Sequence, residues 1–240
     1  MFIKKKLGVN IDHVATLRQA RGTSYPEPLQ AAYIVQNAGA HNLTIHPRED
    51  QRHIQKRDVY LIREACSLPL NMEMALYDDI MHMALDLCPE EVCIVPEKRE
   101  EVTTEGGLDI VSSQDKLEKF ISKAQSRNIR VSLFINYDDD SIKLANELGA
   151  DIVELHTGRF ADTVTSQDQK RIFEELKQAS QYAYSLGLQV NAGHGLHYEN
   201  TKMIASIPEI HTLNIGHAII SRSIFVGLDR AIKDILHIIS

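Results

Sequence analysis

Acidic and histidine side chains recur at the ends of short apolar stretches in this 240-residue sequence. The first example is VNIDHVATLRQARG (9–22), in which β-forming residues give way to Asp12 and His13, and Arg18 and Arg21 follow. A carboxylate beside an imidazole can move protons near neutral pH. Arginine side chains match the geometry of phosphate groups. The stretch therefore predicts acid–base chemistry on an anionic ligand.

The pattern repeats further along the chain. The ends of later apolar stretches carry His46, Glu73, Glu154, His156, His194 and His217. A single histidine is more often structural than catalytic, but five of the eleven histidines occupy such ends. A carboxylate inside an apolar strand, such as Glu73 in LNMEM, is costly unless it is paired or used. A buried ion pair is the structural alternative, and we expect Glu73 and Glu154 to belong to a functional site.

Eight β-rich stretches position these side chains. Their starting points lie 21 to 39 residues apart, which leaves room for a helix after each strand. The predicted strands are LGVNID (7–12), NLTIH (42–46), LNMEM (70–74), VCIVP (92–96), VSLFIN (131–136), IVELHT (152–157), QVNAGH (189–194) and LNIGHA (213–218).

The gaps between the strands carry helical signals. Pro28 suits a first helical turn, and three glycines precede strands as helix C-terminal glycines do: Gly39, Gly149 and Gly187. One gap has an apolar stripe at helical spacing, formed by residues 172, 176, 179 and 183. Eight strand–helix units predict a (β/α)₈ TIM barrel in which residues 1–240 form one catalytic domain. A doubly wound open sheet is the alternative, but the sequence has no GxGxxG or Walker A pattern.

Composition narrows the function classes. The chain is 43% hydrophobic and 25% charged, with a formal net charge of −7, which argues against a broad nucleic-acid surface. The N-terminal segment lacks the apolar run of a signal peptide, and no stretch is long and apolar enough to span a membrane. Cys66, Cys88 and Cys93 form no CxxC pair and are interpreted as small hydrophobes. These features predict a soluble cytoplasmic protein.

Two features predict anion binding. Arg48 and Arg52 follow the second strand, and a helix is expected to begin directly after Gly216 and His217, with free backbone N–H groups at its start. They indicate two phosphorylated ligands or one long bisphosphate. None of the predicted strands contains a lysine, which weakens a Schiff-base mechanism. The histidines and glutamates could instead hold a divalent metal, although no HxH or HExxH pair is present.

Seven segments together resemble the pyridoxine 5′-phosphate synthase family, in order from about residue 7 to residue 230. They are VNIDHVATLRQARG, HPRED, LNMEMA, VPEKREEVTTEGGLD, ELHTGRFA, VNAGHGL and LNIGHAIISRSIFVGL. The resemblance implies a (β/α)₈ barrel that assembles as a homo-octamer and uses no cofactor and no metal. It implies condensation of 3-amino-2-oxopropyl phosphate with 1-deoxy-D-xylulose 5-phosphate to give pyridoxine 5′-phosphate, phosphate and water.

The resemblance also implies a role for each matching position. Proton acceptors would be His46 and Glu73, the proton donor His194, and the acidic stabiliser Glu154. Contacts to the deoxyxylulose phosphate would come from Asp12, His13, Arg48, His53 and Thr103. Contacts to the aminoketone phosphate would come from Asn10, Arg21, Gly195, Gly216 and His217. The segment EKREEVTTEGG (97–107) resembles the family's mobile loop over the site.

Some positions depart from the family pattern, and two other functions stay open. The departures are Pro47, Gln51, Asn136 and His197; none belongs to the expected acid–base set. One alternative function is a metal-dependent sugar-phosphate epimerase or aldolase on the same fold. The other is a non-catalytic barrel that binds sugar phosphates.

Overall fold

A closed barrel of eight parallel strands forms the centre of the computed structural model, which describes residues 4–97 and 106–240. The strands pair in chain order, and β1 closes the barrel against β8. The fold is a (β/α)₈ barrel, as predicted. The strands are β1 (Lys6–Asn10), β2 (Asn42–Ile45), β3 (Leu70–Met74), β4 (Glu91–Ile94), β5 (Arg130–Ile135), β6 (Ile152–His156), β7 (Gln189–Gly193) and β8 (Ile210–Ile215).

Helices surround the barrel and connect successive strands. They are α1 (Asp12–Arg21), α2 (Pro28–Ala38), α3 (Lys56–Ala65), α4 (Asp78–Leu87), α5 (Ile110–Gln125), α6 (Asp139–Glu147), α7 (Gly158–Ala161), α8 (Ser166–Ser185), α9 (Thr201–Ala205), α10 (His217–Val226) and α11 (Leu228–Ile239). As predicted, α2 begins at Pro28 and ends at the left-handed Gly39. The apolar stripe of α8 is buried, also as predicted.

The strands present polar side chains to the inside of the barrel and apolar ones to the helices. Because successive side chains point to opposite faces of a strand, residues that alternate along neighbouring strands meet on one face. Asn71 donates to Thr44 at 3.3 Å, and Asn191 donates to Glu91 at 3.3 Å. The intervening residues, Met72 among them, join the main apolar core. Glu73 of β3 and Glu154 of β6, whose burial among apolar side chains would cost free energy, therefore lie in a polar barrel interior.

Three predicted strand ends are wrong by two or three residues; among them, the fourth strand ends at Ile94 and not at residue 96. Asp12 and His13 begin α1 and do not end β1. The backbone N–H of Asp12 donates to the side-chain oxygen of Asn10 at 2.9 Å, a local turn that replaces the strand pairing. The eighth strand ends at Ile215 and not at residue 218, because α10 begins immediately after Gly216.

Arg18, one of the four arginines that follow the first two strands, stabilises the fold and is not available to a phosphate. Its side chain is buried and donates to both carboxylate oxygens of Asp58, at 2.9 and 2.6 Å. Asp58 also accepts the backbone N–H of Gln55 at the start of α3. Sequence position alone could not separate this buried pair from an exposed phosphate ligand.

Three further expectations from the sequence concern the cysteines, membrane-spanning helices and the segment 97–107. The cysteines are free, with Cys66 and Cys93 buried. Within residues 4–97 and 106–240, no helix combines the length and apolar character needed to cross a bilayer. Thr103 and most of the segment 97–107 lie outside the described residues.

Candidate active site

A cavity of about 520 Å³ opens at the carboxyl ends of the strands. Active sites of (β/α)₈ barrels occupy this end, and the volume suits a small organic ligand. Described residues from β1, β3, β4, β5, β6, β7 and β8 or the turns that follow them line it. They include Asn10, His13, Glu73, Glu154, His194, Gly195, Gly216 and His217. Eight of the residues predicted from sequence thus share one cavity.

Asp12 links the ends of β1 and β2. One of its carboxylate oxygens accepts the backbone N–H of His46 at 2.8 Å, and the other accepts the side-chain amide of Asn10 at 2.7 Å. Burial raises the pKa of Asp12, while the neighbouring His46 opposes that rise. These two hydrogen bonds fix the backbone of His46 at the end of β2, beside the cavity.

His46 lies between two carboxyl groups. Its Nδ1 is 3.8 Å from a carboxylate oxygen of Glu73, and its Nε2 is 3.1 Å from a carboxylate oxygen of Glu97. Asn10 completes the cluster with a 3.5 Å contact from its amide to Glu73. An imidazole held between two carboxyl groups can exchange protons with the one that lines the cavity.

Glu73 is the carboxyl group best placed for proton transfer. Burial raises its pKa well above the ordinary value, and the nearby charges of Asp12 and Glu154 raise it further. An ordinary glutamate would be a weak base at neutral pH. The raised pKa brings Glu73 closer to the range in which it can both accept and release a proton.

Glu154 lies deeper in the barrel, on β6. Burial raises its pKa to about 7, although Asn214 donates a 2.5 Å hydrogen bond to its carboxylate. A side chain at position 193 would collide with this carboxylate, since a Cβ built there would lie 2.0 Å from Oε1 of Glu154. Gly193 is thus required for Glu154 to occupy its position beside the cavity.

Glu154→Gln is expected to change the pH dependence of stability. Between pH 4.5 and 7 the folded protein keeps a proton on Glu154 that the unfolded chain has released. The free energy of unfolding therefore falls as pH rises through this window, by about 3 kcal/mol in all. Urea unfolding at pH 5 and pH 8 should show the variant gaining stability relative to the native protein at the higher pH. An equal difference at both pH values would contradict the raised pKa.

His194 follows β7 in a left-handed conformation, with φ of 74°, and Gly195 follows it with φ of 75°. Thr157 secures this turn by donating to the backbone oxygens of Gly193 and His194 at 2.7 and 2.6 Å. The ring of His156 lies 5.0 Å from that of His194. Burial lowers the pKa of both, that of His156 to about 4. The two rings are neutral at neutral pH when the cavity holds no anion.

The start of α10, which follows the neighbouring strand β8, has the form of an anion-binding feature. Backbone N–H groups in the first turn of a helix have no partner within the helix and attract anions. Gly216 precedes this turn, and a Cβ there would lie 2.9 Å from the side chain of Asn10. The ring of His217 meets that of His13 edge-on at 5.2 Å. Two imidazoles and a helix start therefore face the same region.

Three other residues predicted from the sequence are not among the described residues that line the cavity: Arg48, His53 and Arg21. Arg48 is ion-paired with Asp50 at 3.2 Å and lies 3.9 Å from Glu97. The ring of His53 is 6.1 Å from that of His46, and burial lowers its pKa to about 3. Arg21 ends α1, exposed and about 14 Å along the helix from Asp12.

A metal ion could be held by Asp12, His46 and Glu73. The ligand atoms of these three residues lie within 4.8 Å of one another. Two carboxylates and one imidazole would suit several divalent ions, though each residue already has the hydrogen bonds or ion contacts described above. The donor set is compatible with either proton transfer or metal binding.

Sequence reasoning missed two residues of the site, Glu97 and Asn214. Glu97 follows the carboxyl end of β4, so the rule that selected the other strand ends would also have selected it. Asn214 falls on the inner face of β8, which the misplaced strand end had obscured.

Comparisons with known proteins agree with the geometry. The model of the family described as "Pyridoxal phosphate biosynthesis protein PdxJ" matches residues 7–240. The pyridoxine 5′-phosphate synthases of Pseudoalteromonas translucida and Photobacterium profundum are each 51% identical over 228 residues. Each match covers 95% of this chain and 94% of the relative.

A solved structure of more distant sequence supports the fold alone. The tryptophan synthase A-subunit of Pyrococcus furiosus superposes with a TM-score of 0.65 at 10% identity, covering 99% of this chain and all of that one. The family match spans nearly the whole barrel and every strand that carries a site residue. The chain belongs to the PdxJ family of pyridoxal phosphate biosynthesis proteins.

Proposed function

We propose that this protein is a pyridoxine 5′-phosphate synthase. It condenses 3-amino-2-oxopropyl phosphate with 1-deoxy-D-xylulose 5-phosphate and releases pyridoxine 5′-phosphate, phosphate and water. The observation that carries the proposal is the grouping of Glu73, Glu154, His194 and the start of α10 around one cavity. Family membership and two relatives of that name at 51% identity support it.

The reaction needs several proton-transfer groups. The amine of one substrate attacks the ketone of the other, so the enzyme need not supply an amine. The following dehydrations, phosphate loss and ring closure move protons among different atoms, and one base cannot reach them all. In the proposal His46 and Glu73 accept protons, His194 donates one, and Glu154 is the acidic stabiliser. Phosphate dianions in the cavity would raise the lowered pKa of His194 by attraction and favour its protonated form.

Substrate binding divides between two groups of residues. Asp12, His13, Arg48, His53 and Thr103 are proposed to contact the deoxyxylulose phosphate. Asn10, Arg21, Gly195, Gly216 and His217 are proposed to contact the aminoketone phosphate. The free N–H groups at the start of α10 support the second assignment.

The wider setting of the enzyme is also a proposal. Residues 1–240 act as one catalytic domain, without a cofactor or a metal, and assemble as a homo-octamer in the cytoplasm. The free cysteines fit a compartment that keeps thiols reduced. The net charge of −7 disfavours nucleic acid as a partner.

The test is direct product formation. Purified protein is mixed with both substrates and EDTA, and pyridoxine 5′-phosphate and phosphate are measured. Equal amounts of the two products are expected. No turnover with or without added metal, together with binding of both ligands, would contradict the proposal and favour a non-catalytic barrel.

A metal-dependent sugar-phosphate epimerase or aldolase is the second candidate, and the cluster of Asp12, His46 and Glu73 favours it. Such an enzyme would lose its activity in EDTA and regain it with a divalent cation. Formation of pyridoxine 5′-phosphate in the presence of EDTA would therefore reject this second candidate.

A further inference from the structure

Glu97 lies on the side of His46 opposite Glu73. Its carboxylate oxygen Oε2 is 3.1 Å from Nε2 of His46, and its side chain is only 2% exposed. The other oxygen accepts the backbone N–H of Glu49 at 2.9 Å. Arg48 lies 3.9 Å from the same carboxyl group. A glutamate that accepts two hydrogen bonds beside an arginine is a carboxylate at neutral pH, and a carboxylate only accepts hydrogen bonds.

A fixed acceptor at Nε2 determines which ring nitrogen of His46 carries the proton. Nε2 must donate to Glu97, so in the neutral ring Nδ1 holds the lone pair. Nδ1 faces Glu73, which lines the cavity. The backbone of the same histidine is held by Asp12. The ring is thus fixed in position, in orientation and in tautomer.

We propose that Glu97 is a positioning residue that holds His46 in the Nε2–H tautomer, with Nδ1 as the proton-accepting atom. The inference rests on the proposed synthase function for its kinetic consequences only. Nδ1 accepts a proton while Nε2–H stays bonded to Glu97, and the resulting imidazolium is stabilised by the carboxylate behind it. The proton then passes from Nδ1 to Glu73 or returns to the reacting molecule. A carboxylate that orients a catalytic histidine has this effect in other enzymes.

A merely structural role for Glu97 is the alternative. Glu97 ties the end of β4 to residue 49 and lies 3.9 Å from Arg48. If this were its only contribution, a substitution would displace Arg48 and raise KM for the sugar phosphate while leaving kcat unchanged. The two roles therefore separate in the kinetic constants.

Glu97→Gln preserves size but can turn its amide towards Nε2 of His46 and reverse the tautomer. We expect kcat to fall about 100-fold with KM within about threefold, a loss within the range for a misoriented acid–base group. In a His46→Asn background the same substitution should cost less than about twofold. A loss that persists in full in that background, or one confined to KM, would overturn the proposal. Glu64→Gln, the same change at an exposed position of α3, is the control and should leave kcat unchanged.

A measurement without substrate decides the tautomer whether or not the protein turns over the proposed substrates. The ¹⁵N resonances of histidine-labelled protein are compared with those of His46→Asn to assign the ring of His46. A protonated Nε2 and an unprotonated Nδ1 are expected in the native protein, with the reverse in Glu97→Gln. An Nδ1–H tautomer in the native protein would overturn the inference even if Glu97→Gln failed to fold. Absence of turnover in the native protein would reject the synthase function and leave this result standing.

Discussion

Glu73→Gln is expected to lower kcat for pyridoxine 5′-phosphate formation by about three orders of magnitude. The glutamine amide has the shape of the carboxyl group but cannot accept or release a proton near neutral pH. General acid–base groups contribute about 10² to 10⁴ in rate. Glu73 combines a raised pKa with a position on the cavity wall and contact with Nδ1 of His46, so its loss falls within that range.

The pH–rate profile provides the more specific test. As a base, Glu73 must lose its proton, and the native rate should therefore rise with pH through its raised pKa. The rise should disappear in Glu73→Gln. A profile identical to that of the native protein would contradict the assignment. Glu64→Gln, at an exposed position of α3, provides a control in which neither kcat nor the profile should change.

Arg18→Met is expected to lower the free energy of unfolding by about 3–5 kcal/mol, the usual result of removing one partner of a buried ion pair. The cost arises because Asp58 keeps its charge inside the protein without the two hydrogen bonds from Arg18. Glu27, 3.7 Å from Arg18, still has Arg57 at 2.5 Å and should contribute little. Urea denaturation of the two proteins measures the difference.

The double substitution Arg18→Met with Asp58→Asn separates the lost pair from the unpaired charge. Asparagine retains an oxygen that can accept the N–H of Gln55 at the start of α3. The double variant should therefore recover a substantial part of the stability lost in Arg18→Met. Equal stability of the single and double variants would show that the burial of an unpaired charge is not the cause.

The eight strands and their order could be predicted from the sequence because each apolar stretch is short, rich in β-formers and followed by a helical pattern. Capping residues such as Pro28 and Gly39 act over one turn and are therefore visible locally. Glu73 and Glu154 could also be selected from the local sequence, because burying a carboxylate in an apolar strand costs free energy unless the group is paired or used.

The partners of these side chains could not be predicted, because they come from distant parts of the chain. Arg18 follows a strand end in the same way as a phosphate ligand would, and only the structure reveals that its side chain pairs with Asp58 of α3. The contact between His46 and Glu97 likewise joins positions 51 residues apart.

The sequence by itself determined the (β/α)₈ barrel and the residue types around its mouth, because strand and helix periodicity and the cost of buried charge are local properties. Only the tertiary structure decided which groups share a proton, which are neutral and which arginine is buried. Those properties depend on distances of 2.6 to 3.8 Å between residues far apart in the chain, and the closed barrel with its surrounding helices sets those distances.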